Sequence, residues 1–310
     1  MLSTDESPET RFSSQTGFLK KTSPSGIPYV DWGGQGPALH FAHANGFPPG
    51  TYNAFIERLT DRYRVLGMEC RALWGTEDPA RFRHWRELGE DLAGFLAEMK
   101  LSGILAAGHS LGAVTSLFCA VSHPELVRAL ILIDPVILPV HLAPIWALAT
   151  LPGLNRRARL PAGARQRRIE WPSRELLLRA YRSASVFARW QEPFLRDYIY
   201  SGTADDPSGS VRLQYPKEWE ARIFETAPPD VWCILPQLRH MPLLVLRGQH
   251  SNTYTRATMR LMRWLLPHGT FVEIEGADHF VPMCRADETA AAIRSFLRSL
   301  QTNFLYVRSA

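Results

Sequence analysis

A serine stands between two glycines in Gly108-His109-Ser110-Leu111-Gly112, and its flanks give that spacing a chemical meaning. An apolar run of strand type, Ile104-Leu105-Ala106-Ala107, leads in; a helix-compatible run, Ala113 to Ala120, leads out. A sharp strand-to-helix turn crowds its own backbone. Glycines on either side relieve that crowding, and the Ser110 hydroxyl is pushed clear of the sheet. The start of the helix adds backbone N–H groups and a positive dipole end where an oxyanion would develop. A serine hydroxyl is a poor nucleophile until a neighbouring base takes its proton, so a histidine is required. Of the ten histidines, His279 in Gly276-Ala277-Asp278-His279-Phe280 follows the last strand pattern, where a loop can return an imidazole over the turn. His109, beside the serine, is assigned no chemical step.

Those side chains need a scaffold that brings distant segments together. Strands are expected at Ile27–Trp32, Ala38–Ala42, Tyr63–Met68 and Val127–Ile133, with a helix over Tyr52–Leu59. Trp85–Met99 carries apolar residues at Leu88, Leu92, Phe95, Leu96 and Met99, which is helical spacing. The strand–helix alternation breaks at Asp134 and resumes at Pro242-Leu243-Leu244-Val245-Leu246. A helix over Tyr254–Leu266, a strand at Thr270–Ile274 and a helix over Ala286–Leu300 follow. Alternation of this kind predicts an α/β fold with a mostly parallel, doubly wound sheet. The chain then divides into a flexible leader (1–25), a core (26–134 and 241–310) and an insertion (135–240). The insertion is expected above the carboxyl ends of the strands, where such sheets bind ligands.

With its motifs in this order, the chain resembles the α/β-hydrolase superfamily from about Ile27 to Leu300, and in particular the cap-bearing serine esterase, haloperoxidase and dehalogenase-like branch. The motifs are the His43-Ala44-Asn45-Gly46-Phe47 loop, the Gly108 to Gly112 turn, and His279 after the last strand. The resemblance implies the α/β-hydrolase fold with a helical cap inserted after the sixth strand. It also implies a Ser-acid-His set in that chain order, with Ser110 as nucleophile and His279 as base. Leu111 and Phe47 would supply the oxyanion N–H groups. Asn45 stands where His is usual, leaving His43 to brace the loop. Arg71, in Glu69-Cys70-Arg71-Ala72-Leu73-Trp74-Gly75, is expected to brace loops too.

The acid departs from the family pattern. Most members carry an Asp after the next-to-last strand, in a loop matched here by Arg247-Gly248-Gln249-His250-Ser251-Asn252. Neither Ser251 nor Asn252 can carry a negative charge. Asp134, directly after Ile131-Leu132-Ile133, is the alternative, because some dehalogenase-like members place their acid there. Asn252 as a neutral orienter of His279 and another carboxylate both stay open beside Asp134, although an Asp-to-Asn change at such a position costs about 10⁴ in turnover in a serine protease.

In the insertion, Trp146 and Trp190 are the first choices for pocket lining, with simple core packing as the competing reading. Arg156, Arg157, Arg159, Arg165, Arg167 and Arg168 read as a solvated face, the alternative being recognition of an anionic substrate tail or an acidic surface. The 310 residues are 45% hydrophobic and 21% charged, and the net charge of +5 is spread over many arginines, which argues against a nucleic-acid partner. Cys70, Cys119, Cys233 and Cys284 are scattered, which suggests neither a disulfide framework nor a metal site and fits a reducing compartment. The longest apolar stretch, Ala129 to Leu154, is interrupted by Asp134, His141 and four prolines, so no membrane span is expected.

The expectation is a cytoplasmic serine hydrolase, free of metal and organic cofactor, acting on a small or medium apolar carboxylic ester. Its partner is a small-molecule substrate, and a homodimer is left open. Epoxide hydrolysis and dehalogenation use a carboxylate nucleophile and are disfavoured by Ser110. C–C bond hydrolysis, thioester hydrolysis and cofactor-free perhydrolysis use the same set and remain alternatives. A non-catalytic ligand-binding relative is the competing class.

Overall fold

Eight strands form one sheet in the computed structural model, which describes residues 19–75, 77–143, 145 and 158–307. They are β1 (Leu19–Thr22), β2 (Pro28–Gly33), β3 (Ala38–Ala42), β4 (Arg64–Met68), β5 (Ile104–His109), β6 (Val127–Ile133), β10 (Leu243–Gly248) and β11 (Thr270–Ile274). Their order is β1-β2-β4-β3-β5-β6-β10-β11, antiparallel at β1/β2 and β2/β4 and parallel beyond. β5, β6 and β10 are near-continuous apolar runs because both their faces are covered. In β6, Leu130 and Leu132 pack on one face with Leu92, Phe95 and Leu117. Ala129, Ile131 and Ile133 face the other side, with Phe41, Ile293 and Phe296. The period of two along the strand thus feeds two cores, and helices α1 (Arg86–Glu98), α2 (Leu111–Ser122) and the C-terminal helix seal them.

Three details differ from expectation. Residues 19–22 are an edge strand rather than part of a flexible leader, held by pairing to β2 and by a Lys21–Asp31 ion pair of 2.8 Å. The expected Tyr52–Leu59 helix is a 3₁₀ turn (Pro49–Tyr52) followed by a single α turn (Asn53–Ile56). Phe55, Ile56 and Leu59 are buried all the same, so successive turns satisfy the apolar spacing that suggested a helix. The insertion is not purely helical. Between α3 (Arg159–Gln166), α4 (Arg174–Arg182), α5 (Glu192–Gly202) and α6 (Lys217–Glu225) runs a small antiparallel sheet. Its strands are β7 (Glu170–Trp171), β8 (Thr203–Asp205) and β9 (Val211–Leu213), in the order β7-β9-β8. The β8–β9 hairpin turns at Gly209, whose φ of 86° suits glycine, with Asp206 N–H bonded to Ser210 O at 2.8 Å.

Beyond the insertion, α7 (Arg256–Leu265) precedes β11, and α8 (Ala286–Val307) closes the described chain. No helix among the described residues is long and apolar enough to cross a membrane.

Candidate active site

Ser110 links β5 to α2 with φ 57° and ψ −115°, a left-handed conformation that a serine adopts only where its surroundings impose it. The surroundings are tight. A Cβ on Gly108 would lie 2.3 Å from the Gly112 backbone, and one on Gly112 would lie 2.1 Å from the Ala42 carbonyl oxygen. The two glycines therefore let the helix start press against the ends of β3 and β5. Ser110 N–H donates to Ile133 O at 3.0 Å, tying the turn to β6.

Asp134 is the next residue along β6, with φ 42° and no solvent exposure. Its own N–H donates to Leu246 O at 2.8 Å, which locks it to β10. Three donors converge on its carboxylate. Oδ1 lies 2.8 Å from His279 Nδ1 and accepts from Ser251 Oγ at 2.6 Å, while Oδ2 accepts from Gly248 N–H at 2.8 Å. A buried carboxylate can only accept in this arrangement, so His279 carries its proton on Nδ1. His279 Nε2 then presents a lone pair to Ser110 Oγ, 2.9 Å away. Asp134, His279 and Ser110 are therefore brought together in one hydrogen-bonded line. Asn252, the alternative orienter, is exposed. Its neighbour Ser251, at the position where the usual acid was missing, donates to Asp134 instead.

A second layer holds that line in place. His109 is fully buried and its Nε2 lies 2.8 Å from the His279 carbonyl oxygen, which can only accept, so Nε2 carries the proton. Its Nδ1 then accepts from Tyr52 Oη–H at 2.8 Å, and Tyr52 Oη accepts from Ala44 N–H at 3.1 Å. Burial pushes the His109 pKa down to about 3, so this connector stays neutral. The role of Tyr52 was not visible in the sequence, since nothing local to residue 52 points to residue 109.

The loop after β3 is braced as expected. His43 Nδ1–H donates to Ala44 O at 2.9 Å, and its Nε2 accepts from Cys70 N–H at 3.0 Å. Asn45 joins the loop to the insertion: its amide donates to Glu220 O and its Oδ1 accepts from Tyr215 Oη, both at 3.0 Å. Leu111 opens α2, so its N–H has no intrahelical acceptor. The Phe47 N–H differs from expectation in being engaged. It donates to Ala44 O at 3.2 Å across the turn made by Gly46, whose φ is 82°. Arg71 pairs with Asp91 at 2.6 Å and Glu87 at 2.9 Å, a bracing role.

The insertion meets the site through aromatic side chains. The Trp190 ring lies 5.6 Å from Phe47 and 5.1 Å from Phe280, the neighbour of His279, and Tyr198 lies 4.9 Å from Phe47. Trp190 thus reaches the loops on either side of Ser110. Trp146, the other expected lining residue, falls outside the described residues, as do Arg156 and Arg157. The rest of the arginine run is not a uniform solvated face. Arg165 turns toward Glu218 and Glu225, Arg167 toward Glu220, and Arg168 lies over the Trp171 ring at 4.1 Å.

Known proteins are similar to this chain in sequence and fold. The chain is 25% identical over 271 residues to 2-(acetamidomethylene)succinate hydrolase of Mesorhizobium japonicum, covering 85% of this chain and 89% of that protein. A crystal structure of E-2-(acetamidomethylene)succinate hydrolase superposes with a TM-score of 0.71 at 20% identity, over 91% of this chain and 99% of the other. The enol-lactonase from Burkholderia xenovorans LB400 gives 0.63 at 20% identity, over 91% and 97%. At such identities the structural likenesses carry the fold alone. A model of the family, however, matches residues 41–292, a span that contains Ser110, Asp134 and His279, and the chain belongs to the alpha/beta hydrolase family.

Proposed function

We propose that this protein is a serine hydrolase that cleaves a carboxylic ester of small or medium apolar type through an acyl-enzyme. The observation that supports it most is the line from Ser110 Oγ through His279 to Asp134, with links of 2.9 and 2.8 Å at a strained turn. As Ser110 Oγ attacks the carbonyl carbon, His279 Nε2 takes its proton, and Asp134 steadies the imidazolium. The oxyanion is received by Leu111 N–H and by Phe47 N–H once the latter swings from Ala44 O. His279 returns the proton to the departing alkoxide oxygen, which leaves as the alcohol. Water, deprotonated by the same nitrogen, then releases the acid and restores Ser110. The insertion acts as a cap, with Trp190 and Tyr198 forming an apolar wall of the pocket. A fully buried aspartate hydrogen-bonded to the histidine favours turnover over passive ligand binding.

The same set can break a thioester or a C–C bond. A relative named for hydrolysis of 2-(acetamidomethylene)succinate keeps a scissile bond other than a simple ester as the second reading. Fluorophosphonate labelling of the wild type and of Ser110→Ala, with a panel of esters, thioesters, lactones and β-diketones, tests both. Ser110→Ala should lose labelling and about 10⁶ in turnover while folding normally. Near-wild-type activity in that variant would overturn the reading. Buried free thiols at Cys70, Cys119 and Cys284 support a cytoplasmic location, to be checked by fractionation.

A further inference from the structure

We propose that Arg167 is a carboxylate anchor in the pocket, so that the substrate carries a free carboxylate besides the bond that is cleaved; this rests on the hydrolase reading. Arg167 follows α3, and its Nη1 lies 3.1 Å from Glu220 Oε1 and 3.0 Å from Oε2, the latter poorly aligned for a hydrogen bond. Its Nε and Nη2 are buried and have no hydrogen-bond partner among the described residues. Those two N–H groups form one edge of the planar guanidinium, the edge whose parallel donors match the two oxygens of a carboxylate. Arg165 and Arg294 each leave one buried nitrogen unpaired; Arg167 leaves a whole fork. Buried polar groups in native proteins are nearly always satisfied, and donors on a permanent cation are the costliest to leave bare. A pair of parallel donors that no protein group among the described residues fills matches the two oxygens of a ligand carboxylate.

The Arg167–Glu220 pair also lies beside the catalytic loops. A Cβ on Gly46 would lie 3.5 Å from Arg167 Nη1 and 2.9 Å from Glu220 Oε1, so the pair rests against the loop that carries Phe47. Phe47 in turn packs on Trp190, whose ring reaches Phe280 beside His279. Trp190 is only 9% exposed, and its Nε1–H is a further buried donor without a partner among the described residues. An apolar wall with one cationic fork and one indole N–H suits a short substrate with an anionic end. Glu220 binds Nη1 alone, which leaves the Nε and Nη2 donors for the ligand.

The test uses Ser110→Ala, in which ligands bind without turning over, and calorimetry with matched pairs of esters. Monomethyl succinate against methyl succinamate places the charge on the acyl side; 2-acetoxyacetate against 2-acetoxyacetamide places it on the alcohol side. At least one carboxylate should bind about 30-fold or more tighter than its carboxamide. Arg167→Gln should bring that ratio near one. Arg167→Lys keeps the charge beside Glu220 but not the fork, and should lose most of the preference too, which preserves the test if the glutamine variant fails to fold. A ratio near one in both pairs, or a preference that survives both substitutions, overturns the assignment. A carboxylate preference through Arg167 in a protein that neither takes fluorophosphonate nor cleaves any ester would sink the ester reading and leave the anchor standing.

Discussion

Asp134→Asn isolates the charge on the histidine's partner at almost constant volume. The carboxylate accepts from three donors: His279 Nδ1 at 2.8 Å, Ser251 Oγ at 2.6 Å and Gly248 N–H at 2.8 Å. An asparagine offers one oxygen and one NH₂ group in their place. If its oxygen faces His279, its NH₂ meets the Gly248 N–H, two donors head to head on a backbone that β10 holds still. If it flips, the oxygen satisfies Gly248 and the NH₂ faces His279 Nδ1, which must then accept. His279 would carry its proton on Nε2, aimed at Ser110, and could no longer act as base. The second arrangement satisfies the fixed backbone Gly248 N–H and leaves only the Ser251 hydroxyl, which can rotate, to lose its acceptor, and should dominate. Turnover at neutral pH should fall by about 10⁴, equivalent to about 5.5 kcal/mol. Stability should fall by about 1 kcal/mol, the cost of the Ser251 hydroxyl losing its acceptor. The assay is kcat/KM on an ester cleaved by the parent, with the rate of fluorophosphonate labelling as a check independent of substrate. A loss smaller than tenfold in both, in a protein that melts like the parent, would refute the argument that Asp134 sets the tautomer of His279.

Three further outcomes follow from the packing and the buried groups. Gly112→Ala would place a methyl group 2.1 Å from the Ala42 oxygen and 2.7 Å from the His43 oxygen, both backbone atoms. It should cost about 3 kcal/mol in urea unfolding, and an unchanged midpoint would contradict the close approach. Burial lowers the pKa of His40 and His109 to about 3 and of His43 to about 4, from an ordinary 6.5, so all three are neutral when folded. Their contribution is present above about pH 6.5 and is lost as pH falls toward 4, since the unfolded chain then binds three more protons. The slope approaches about 4 kcal/mol per pH unit. Asp197, pushed up by burial to about 7, opposes this by holding a proton in the folded state over part of the same range. A denaturation midpoint flat from pH 6.5 to 4.5 would be incompatible with three neutral buried imidazoles. Finally, Trp190→Leu should open the wall beside Phe47 and Phe280, raising kcat/KM for an octanoyl ester relative to the butyryl ester several-fold, at a cost of about 2 kcal/mol in stability. An unchanged chain-length preference would remove Trp190 from the pocket.

The parts of this protein legible in the sequence are those set by local sterics and by periodicity. Glycines two residues either side of Ser110 announce a turn too tight for a Cβ there, since one on Gly108 or Gly112 would press into neighbouring backbone atoms. Long apolar runs in β5, β6 and β10 announce strands covered on both faces, because no solvent-facing side remains to be polar. The choice between Asp134 and the Ser251–Asn252 loop was a different kind of question. An aspartate at a strand end looks the same whether or not a histidine 145 residues later points at it. Only the side-by-side placement of β6 and β10 puts Asp134, Ser251 and Gly248 within one hydrogen-bonded cluster. The β8–β9 hairpin went unread because its strands are three residues long, too short for alternation to stand out from the helices around it. The arginines after residue 155 have a composition that says surface, yet Arg167 turns inward onto Glu220, 53 positions away. Which way such a side chain points depends on where another helix carries its carboxylate, and that is decided by packing of the whole chain, not by spacing along it.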